Sequence, residues 1–286
     1  MADIISDFPD SVLCYILSFL PTKEVVTTSV LSKRWKLLWR LVPSFDFDLQ
    51  GGIDDDKEFC SGFFQSLYSF LLFRDKRQLF HRFRLKCFCF CNHSGERIIE
   101  AETINVALLK SAMNKNGRLE HLDLNLYWRL WVPSPVFRCK TLVVLKLANL
   151  TLKDVSFVDL PLLKILHLNY VYFEQDDLPQ FLSGTPNLED LLVNNMTANS
   201  AEKFHRLPNL VRANIHEHLV PLDVVKNVEV LFTDRIDLKD LVFDLHNLVQ
   251  LELTFVYCKE LVEVLEVLKH CPKLQTLVIS TYDDKV

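Results

Sequence analysis

Glycine is scarce in this chain, with 6 residues in 286. Loops that cradle phosphate need several, and no Gly-x-Gly-x-x-Gly, P-loop or Gly-x-Ser-x-Gly motif occurs. The 8 cysteines are scattered (Cys14, Cys60, Cys87, Cys89, Cys91, Cys139, Cys258 and Cys271) and form no Cys-x-x-Cys pair. In a chain of this size they read as free thiols in a reducing compartment. The first residues, Met-Ala-Asp-Ile-Ile-Ser-Asp, lack the basic stretch of a signal peptide. No uninterrupted apolar run reaches transmembrane length. Excess positive charge is also missing: the net charge of -5 argues against nucleic-acid binding by charge. These absences predict an intracellular protein, cytoplasmic and/or nuclear, with no cofactor, no membrane association and no nucleic-acid partner. What is present is apolar surface, 49% of residues, enough for one small and one larger domain rather than disorder.

The first fifty residues predict three short amphipathic helices. Pro9 suits a first helical turn, and Val12, Leu13, Ile16, Leu17 and Leu20 come after it at helical spacing. Pro21 stops that helix, Thr22 is placed to cap a second through Val25, Val26 and Val30, and Ser32 to cap a third carrying Trp35, Leu38, Trp39 and Val42. The third is basic through Lys33, Arg34, Lys36 and Arg40. A segment this small buries too little to be stable alone. It reads either as a helical cap on the adjoining domain or as a docking module completed by another protein.

The strings Leu17-Ser18-Phe19-Leu20-Pro21-Thr22-Lys23 and Thr28-Ser29-Val30-Leu31-Ser32-Lys33-Arg34-Trp35, with Leu38-Trp39 and Phe45-Asp46-Phe47-Asp48, resemble the plant type of F-box over residues 4–48. Phe8 departs from the leucine usual in that family. The resemblance implies binding to the Skp-type adaptor of a cullin-RING (SCF) ubiquitin ligase, and through it to a cullin. The expected adaptor-binding residues are Phe8, Pro9, Leu13, Ile16, Leu17, Leu20, Pro21, Val30, Leu31, Trp35 and Leu38. Trp35, Leu13, Leu17 and Leu31 are expected to anchor the contact, while Lys33 and Lys36 would steer an acidic partner.

Residues 51–57 read as a loop. Phe59, Phe63, Leu67, Phe70 and Leu71 then predict a helix, and residues 81–91 alternate as a strand. Cys87, Cys89 and Cys91 near His93 raise a metal site, but same-face strand residues are awkward for a closed tetrahedral site and a second ligand pair is missing, so a buried strand is favoured. Residues 102–115 predict another helix, ended by Gly117. This block, residues 51–117, reads as a linker and the N-terminal cap of the longer C-terminal region.

From residue 118 a unit recurs. Leu119-x-x-Leu122-x-Leu124 is succeeded by copies beginning at Leu142, Leu163, Leu188, Leu210, Val228, Leu248 and Leu274, spaced 23, 21, 25, 22, 18, 20 and 26 residues apart. A period in the low twenties with this spacing is the leucine-rich-repeat signature. The fourth and sixth positions of a strand point the same way, so each copy buries two apolar side chains and stacked copies make a continuous ladder. Short helices are predicted at 177–182 and 259–270, the latter through Leu261, Val264, Leu265 and Leu268. The asparagine usual three residues after the last leucine is replaced by Leu150, Val171, Met196 and Val256, so no buried asparagine ladder is expected. Cys139-Lys140-Thr141-Leu142-Val143-Val144-Leu145-Lys146-Leu147 and Pro186-x-Leu188-Glu189-Asp190-Leu191 are similar to plant F-box proteins with leucine-rich repeats. Many of those carry a further C-terminal FBD segment after the position of Thr281; with the last residue here Val286, either a short member or a truncated one is expected.

The expected fold is therefore α/β: a three-helix F-box at 1–50, the block 51–117, and at 118–286 an irregular leucine-rich-repeat solenoid with a parallel β-sheet on its concave face. The implied function is a substrate-recruiting, non-catalytic ligase subunit whose repeats bind a target protein. The alternative is an F-box scaffold or decoy working outside the ligase. The candidate target-binding residues are Tyr127, Trp128 and Trp131 in an aromatic loop and Lys146, His167 and Arg212 at outward strand positions. His216-Glu217-His218 has no third ligand nearby, and no catalytic motif is present.

Overall fold

The computed structural model describes residues 5–49, 57–75, 77–87, 118–126, 132–152, 155, 157–173, 178–196, 204–215, 219–234, 236, 241–255 and 261–281. The fold is mixed α/β, with parallel sheet in both of its two compact units, Met1–Leu142 and Val143–Val286. The unit boundary falls one copy inside the predicted repeats. The predicted helix at 102–115 lies outside the described residues.

The first unit opens with helices α1 (Asp10–Leu17), α2 (Thr22–Thr27) and α3 (Trp35–Leu38), with single 3-10 turns at Thr28–Val30 and Trp39–Leu41. Pro9 and Pro21 hold the extended backbone just before α1 and α2. Thr22 does not cap α2. Its side chain is buried, and its Oγ1 accepts a 2.8 Å bond from the Asp46 N–H, tying the helix to the strand that comes after the helical segment. Ser32 Oγ accepts from the Trp35 N–H at 3.4 Å, as a cap would. Leu13, Cys14, Leu17, Val25, Trp35, Leu38 and Val42 form the segment's own core. Arg34 clamps the two helix starts together, donating to Asp10 Oδ1 at 2.7 and 2.9 Å and to the Phe8 carbonyl.

Strand β1 (Ser44–Asp48) comes next, then α4 (Lys57–Phe73), β2 (Arg82–Cys87) and β3 (His121–Leu126). The three strands run parallel in chain order, pairing Phe45 with Phe83 and Phe83 with Leu122. Phe45 stacks on Phe83 at 4.3 Å, and Phe45 and Trp39 both pack on Phe70 of α4. Beneath them Arg74 is buried, with its guanidinium 3.7 Å from the Phe80 ring centroid. Burial lowers its pKa to about 10.

The second unit holds β4 (Val144–Leu152), β5 (Ile165–Phe173), α5 (Leu178–Ser183), β6 (Asp190–Asn194), β7 (Arg212–Ile215), β8 (Val230–Thr233), β9 (Gln250–Phe255), α6 (Leu261–Lys269) and β10 (Thr276–Thr281). From β5 onwards each strand pairs parallel with the one before it. In every copy the strand starts two residues after the first apolar position. One rule produces this register: two consecutive N–H groups at each strand entrance share one carbonyl of the preceding copy. Ile165 and Lys164 donate to the Val143 carbonyl, Asp190 and Glu189 to that of Lys164, and Gln275 and Thr276 to that of Val249. The first unit repeats the device, with His81 and Arg82 donating to Pro43 and Glu120 and His121 to His81. Val42-x-x-Phe45-x-Phe47 and Phe80-x-x-Phe83-x-Leu85 are thus earlier copies of the same unit, written in phenylalanine.

The strands also kink at one place. Asn149, Tyr170 and Asn195 have φ of 55°, 52° and 53°. Each precedes the position that usually carries asparagine. The left-handed residue turns the chain so that Leu150, Val171 and Met196 bury there instead. A different asparagine ladder appears at the strand entrances: Asn187 Nδ2 donates to the Pro161 carbonyl, and Asn209 Nδ2 to both the Pro186 carbonyl and Asn187 Oδ1. Gly184 ends α5 where a Cβ would lie 2.4 Å from the Val158 carbonyl oxygen. Among the described side chains of α6 Val264 and Val267 are buried, while Leu265, one of the predicted stripe, faces solvent. The last copy stays open, with Leu277 37% and Ile279 41% exposed where their β9 partners Leu251 and Leu253 are buried.

Candidate functional site

Two surfaces collect the residues singled out from the sequence. On the helical segment those residues divide by environment. Leu13, Leu17, Trp35 and Leu38 are buried in the segment's own core and Leu20 is half-buried against it, so in the free chain these side chains offer little to a partner. Phe8, Ile16, Val30 and Leu31 are 41%, 47%, 85% and 65% exposed, and Pro9 and Pro21 lie at the surface beside them in sequence. Val12, Tyr15, Phe19, Val26 and Leu37 are exposed as well. Sequence reading used Val12 and Val26 as helix stripe and passed over Tyr15, Phe19 and Leu37. Their signal was an apolar residue on a face already supplied with core positions. A chain that has closed a core and still shows this much apolar surface carries an interaction-type patch.

On the second unit, Lys146, His167 and Arg212 converge. Lys146 pairs with His167 in register, and Arg212 with Asp190. His167 Nε2 lies 3.4 Å from Asp190 Oδ1. The hydrogen bond to His167 leads the causes that hold the Asp190 carboxyl below the usual carboxylate range, with Arg212 and Lys146 adding to it. Asp190, an outward position in the repeat, is the group that organises the other three. Next along the strands comes a row of amides: Asn194 Nδ2 donates to Asn214 Oδ1 at 3.1 Å, and Asn195 Nδ2 to Asn169 Oδ1 at 3.0 Å. Tyr170 and Tyr172, at the end of β5, are 58% and 52% exposed. Tyr127, Trp128 and Trp131 lie outside the described residues.

The first unit's sheet carries a polar face of another kind. Arg84 spans three carboxylates across the strands, Asp46 at 3.4 Å, Asp48 at 3.0 Å and Asp123 at 3.5 Å. Burial, first, pushes the Asp46 carboxyl up against the pull of Arg84. Among the described residues no group of three His, Cys, Asp or Glu side chains is placed to hold a metal ion. Cys87 is buried, and Cys89, Cys91, His93 and His216–His218 lie outside the described residues. Burial raises the Cys14 thiol and pushes Cys271 up to about 11, which keeps both protonated and poorly nucleophilic. Among the described residues no helix is long and apolar enough to cross a membrane.

Comparison with known proteins assigns both regions. Residues 5–47 match the F-box domain, and residues 107–241 match the repeats described as "FBD-associated F-box protein At5g56370, LRR repeats". FBD-associated F-box protein At1g66310 of Arabidopsis thaliana is 35% identical over 196 residues, covering 66% of this chain and 40% of its own. F-box/LRR-repeat protein 13 of the same plant is 35% identical over 67% of this chain and 41% of its own. FBD-associated F-box protein At5g56370 is 38% identical over 65% of this chain and 42% of its own. The chain thus spans well under two thirds of the length of these relatives. On these matches the chain belongs with the plant F-box proteins: an F-box domain at residues 5–47 and, after it, leucine-rich repeats of the FBD-associated F-box type.

Proposed function

We propose that this chain is a substrate-recruiting subunit of an SCF ubiquitin ligase, in which the N-terminal three-helix F-box, residues 1–50, binds a Skp-type adaptor and the repeats, a solenoid over residues 118–286, bind a target protein. F-box/LRR proteins generally act this way, and they are not themselves catalysts. Ubiquitin transfer belongs to the partners, and this chain contributes proximity. Residues 51–117 join the two parts and carry the Phe80 copy of the repeat unit. The protein acts inside the cell.

The observation that carries the reading is the exposed apolar set Phe8, Ile16, Val30 and Leu31 on a helical segment that already has its own core. Burying a large aliphatic side chain contributes about 1.5–3 kcal/mol relative to leaving it exposed, so four such residues are a strong drive to associate. The adaptor would cover these four and the Pro9 and Pro21 turns. Leu13, Leu17, Leu20, Trp35 and Leu38 act by holding those residues in place. Lys33 and Lys36, both exposed, speed the approach of an acidic partner.

The test is co-purification of the full chain with a Skp-type adaptor and a cullin. Val30→Asp with Leu31→Asp is expected to abolish capture of both while leaving the thermal transition unchanged. Adaptor capture unaffected by that pair overturns the proposed contact. Adaptor captured without cullin, under conditions where another F-box protein brings both, replaces the ligase reading with that of a scaffold or decoy.

A further inference from the structure

The face of the second unit's sheet opposite its leucines carries three chemistries in a fixed order. At the strand entrances His167 pairs with Asp190, Arg212 stands beside Asp190 in register on β7, and Lys146 beside His167 on β4, while the neighbouring Glu189 is paired with Lys164. Asp190 is already engaged by His167, so the cluster keeps an excess of positive charge at Lys146 and Arg212, one on each side of it. Neither cation has an ion-pair partner within hydrogen-bonding distance among the described residues. Beyond them the paired amides of Asn169 with Asn195 and Asn194 with Asn214 lie across β5, β6 and β7. Asn194 Oδ1, on the middle strand of this row, is buried with no hydrogen-bond partner. Tyr170 and Tyr172 then stand exposed at the end of β5. Tyr170 holds its place with φ at 52°, a conformation that costs a bulky residue energy and occurs where the surroundings fix it.

Rigid exposed tyrosines beside amide groups that can donate or accept are the composition of surfaces that bind peptides and proteins. The charge selects among peptides. Glu252, also at an outward position, is five strands from Lys146 and two from Arg212, whose own cross-strand row runs through Val230 to Gln250.

We infer that the β4–β7 face is a docking site for an extended acidic segment of the target protein, with one carboxylate of that segment at Lys146 and another at Arg212, on either side of the His167–Asp190 pair, its backbone amides against the asparagine row, and an apolar side chain on Tyr170 and Tyr172. This rests on the target-binding reading of the repeats and names the chemistry of what they take.

The experiment uses the purified full chain with its adaptor and an array of 15-residue peptides whose Asp/Glu, Lys/Arg, phosphoserine and aromatic contents vary independently. Peptides with Asp or Glu near an aromatic residue are expected to bind, with affinity falling as salt rises. Lys146→Glu with Arg212→Glu should weaken them by roughly tenfold or more and shift preference towards Lys- and Arg-bearing peptides, a gain that misfolding cannot produce. Tyr172→Ser should weaken all binders without altering the charge preference. No preference for acidic peptides, a preference untouched by the charge reversal, or phosphoserine peptides binding tenfold better than Asp/Glu peptides would each overturn the assignment. Adaptor capture in the same samples separates the two readings. If it persists while acidic selectivity is absent, only the docking inference falls, and if it is absent from the unaltered chain, the adaptor reading falls independently.

Discussion

The helical segment and the strands of the second unit use apolar residues in opposite ways. Between residues 8 and 38 the apolar side chains divide between a small closed core and an open surface. In β4–β9 the alternate residues are almost wholly buried, and the residues between them are mostly polar. A strand between two paired neighbours has one inward face and its leucines fill it. A short helix with few neighbours carries more apolar surface than its own chain covers. Apolar excess therefore marks where the helical segment meets something else, whereas on the sheet the marks are charge, amide and tyrosine.

Substitutions break the comparison most sharply where burial is complete. Leu13→Asp puts an unpaired carboxylate into the helical core and is expected to cost several kcal/mol, eliminating adaptor capture and the protease resistance of residues 5–49. Leu168→Ala, in the fully buried register position of β5, is expected to cost about 2–5 kcal/mol, measured by chemical denaturation, with the F-box surface intact and adaptor capture retained. Gly184→Ala forces its new methyl into the Val158 carbonyl and should cost roughly 1–3 kcal/mol by the same measurement. Arg74→Met exchanges a buried guanidinium for an apolar side chain and should change stability little, because relief of the buried charge offsets loss of the Phe80 contact and of the 3.4 Å bond to the Val42 carbonyl.

The smallest effect contrasts the two polar sheet faces by pH. Asp190 has a depressed carboxyl, so its stabilisation is present above the unfolded carboxylate value of about 4 and is lost as pH falls through its lower folded value. Asp46 has a raised one, so its ionisation opposes folding and stability is lost as pH rises from the unfolded value through the folded one. Asp190→Asn should therefore flatten the acid limb of the stability curve, and Asp46→Asn should steepen it. Identical acid limbs in the two variants would show that the two environments do not differ.

Much of the fold was legible in the spacing of leucines, because a period of two places alternate side chains on one face wherever the chain is extended. The copies at Leu142, Leu163, Leu188, Leu210 and Leu248 all became strands at the same offset. The copies at Val42 and Phe80 were not legible because phenylalanine replaces leucine and only two exist, too few to establish a period. Of the polar candidates, Lys146, His167 and Arg212 were found as outward positions one strand at a time. Their convergence on Asp190 depends on inter-strand register, which no single copy contains.

Sequence alone determined the two regions and the kind of element each forms, since helical and strand periodicity, proline placement and repeat length are local properties of the chain. Tertiary structure alone decided which apolar residues of the helical segment close its core and which remain open, that Thr22 ties down β1 instead of capping a helix, and that asparagines ladder at the strand entrances. The reason is physical: burial and hydrogen-bond partnership are set by neighbours in space, and residues 24 apart, such as Thr22 and Asp46, become neighbours only when the chain has folded.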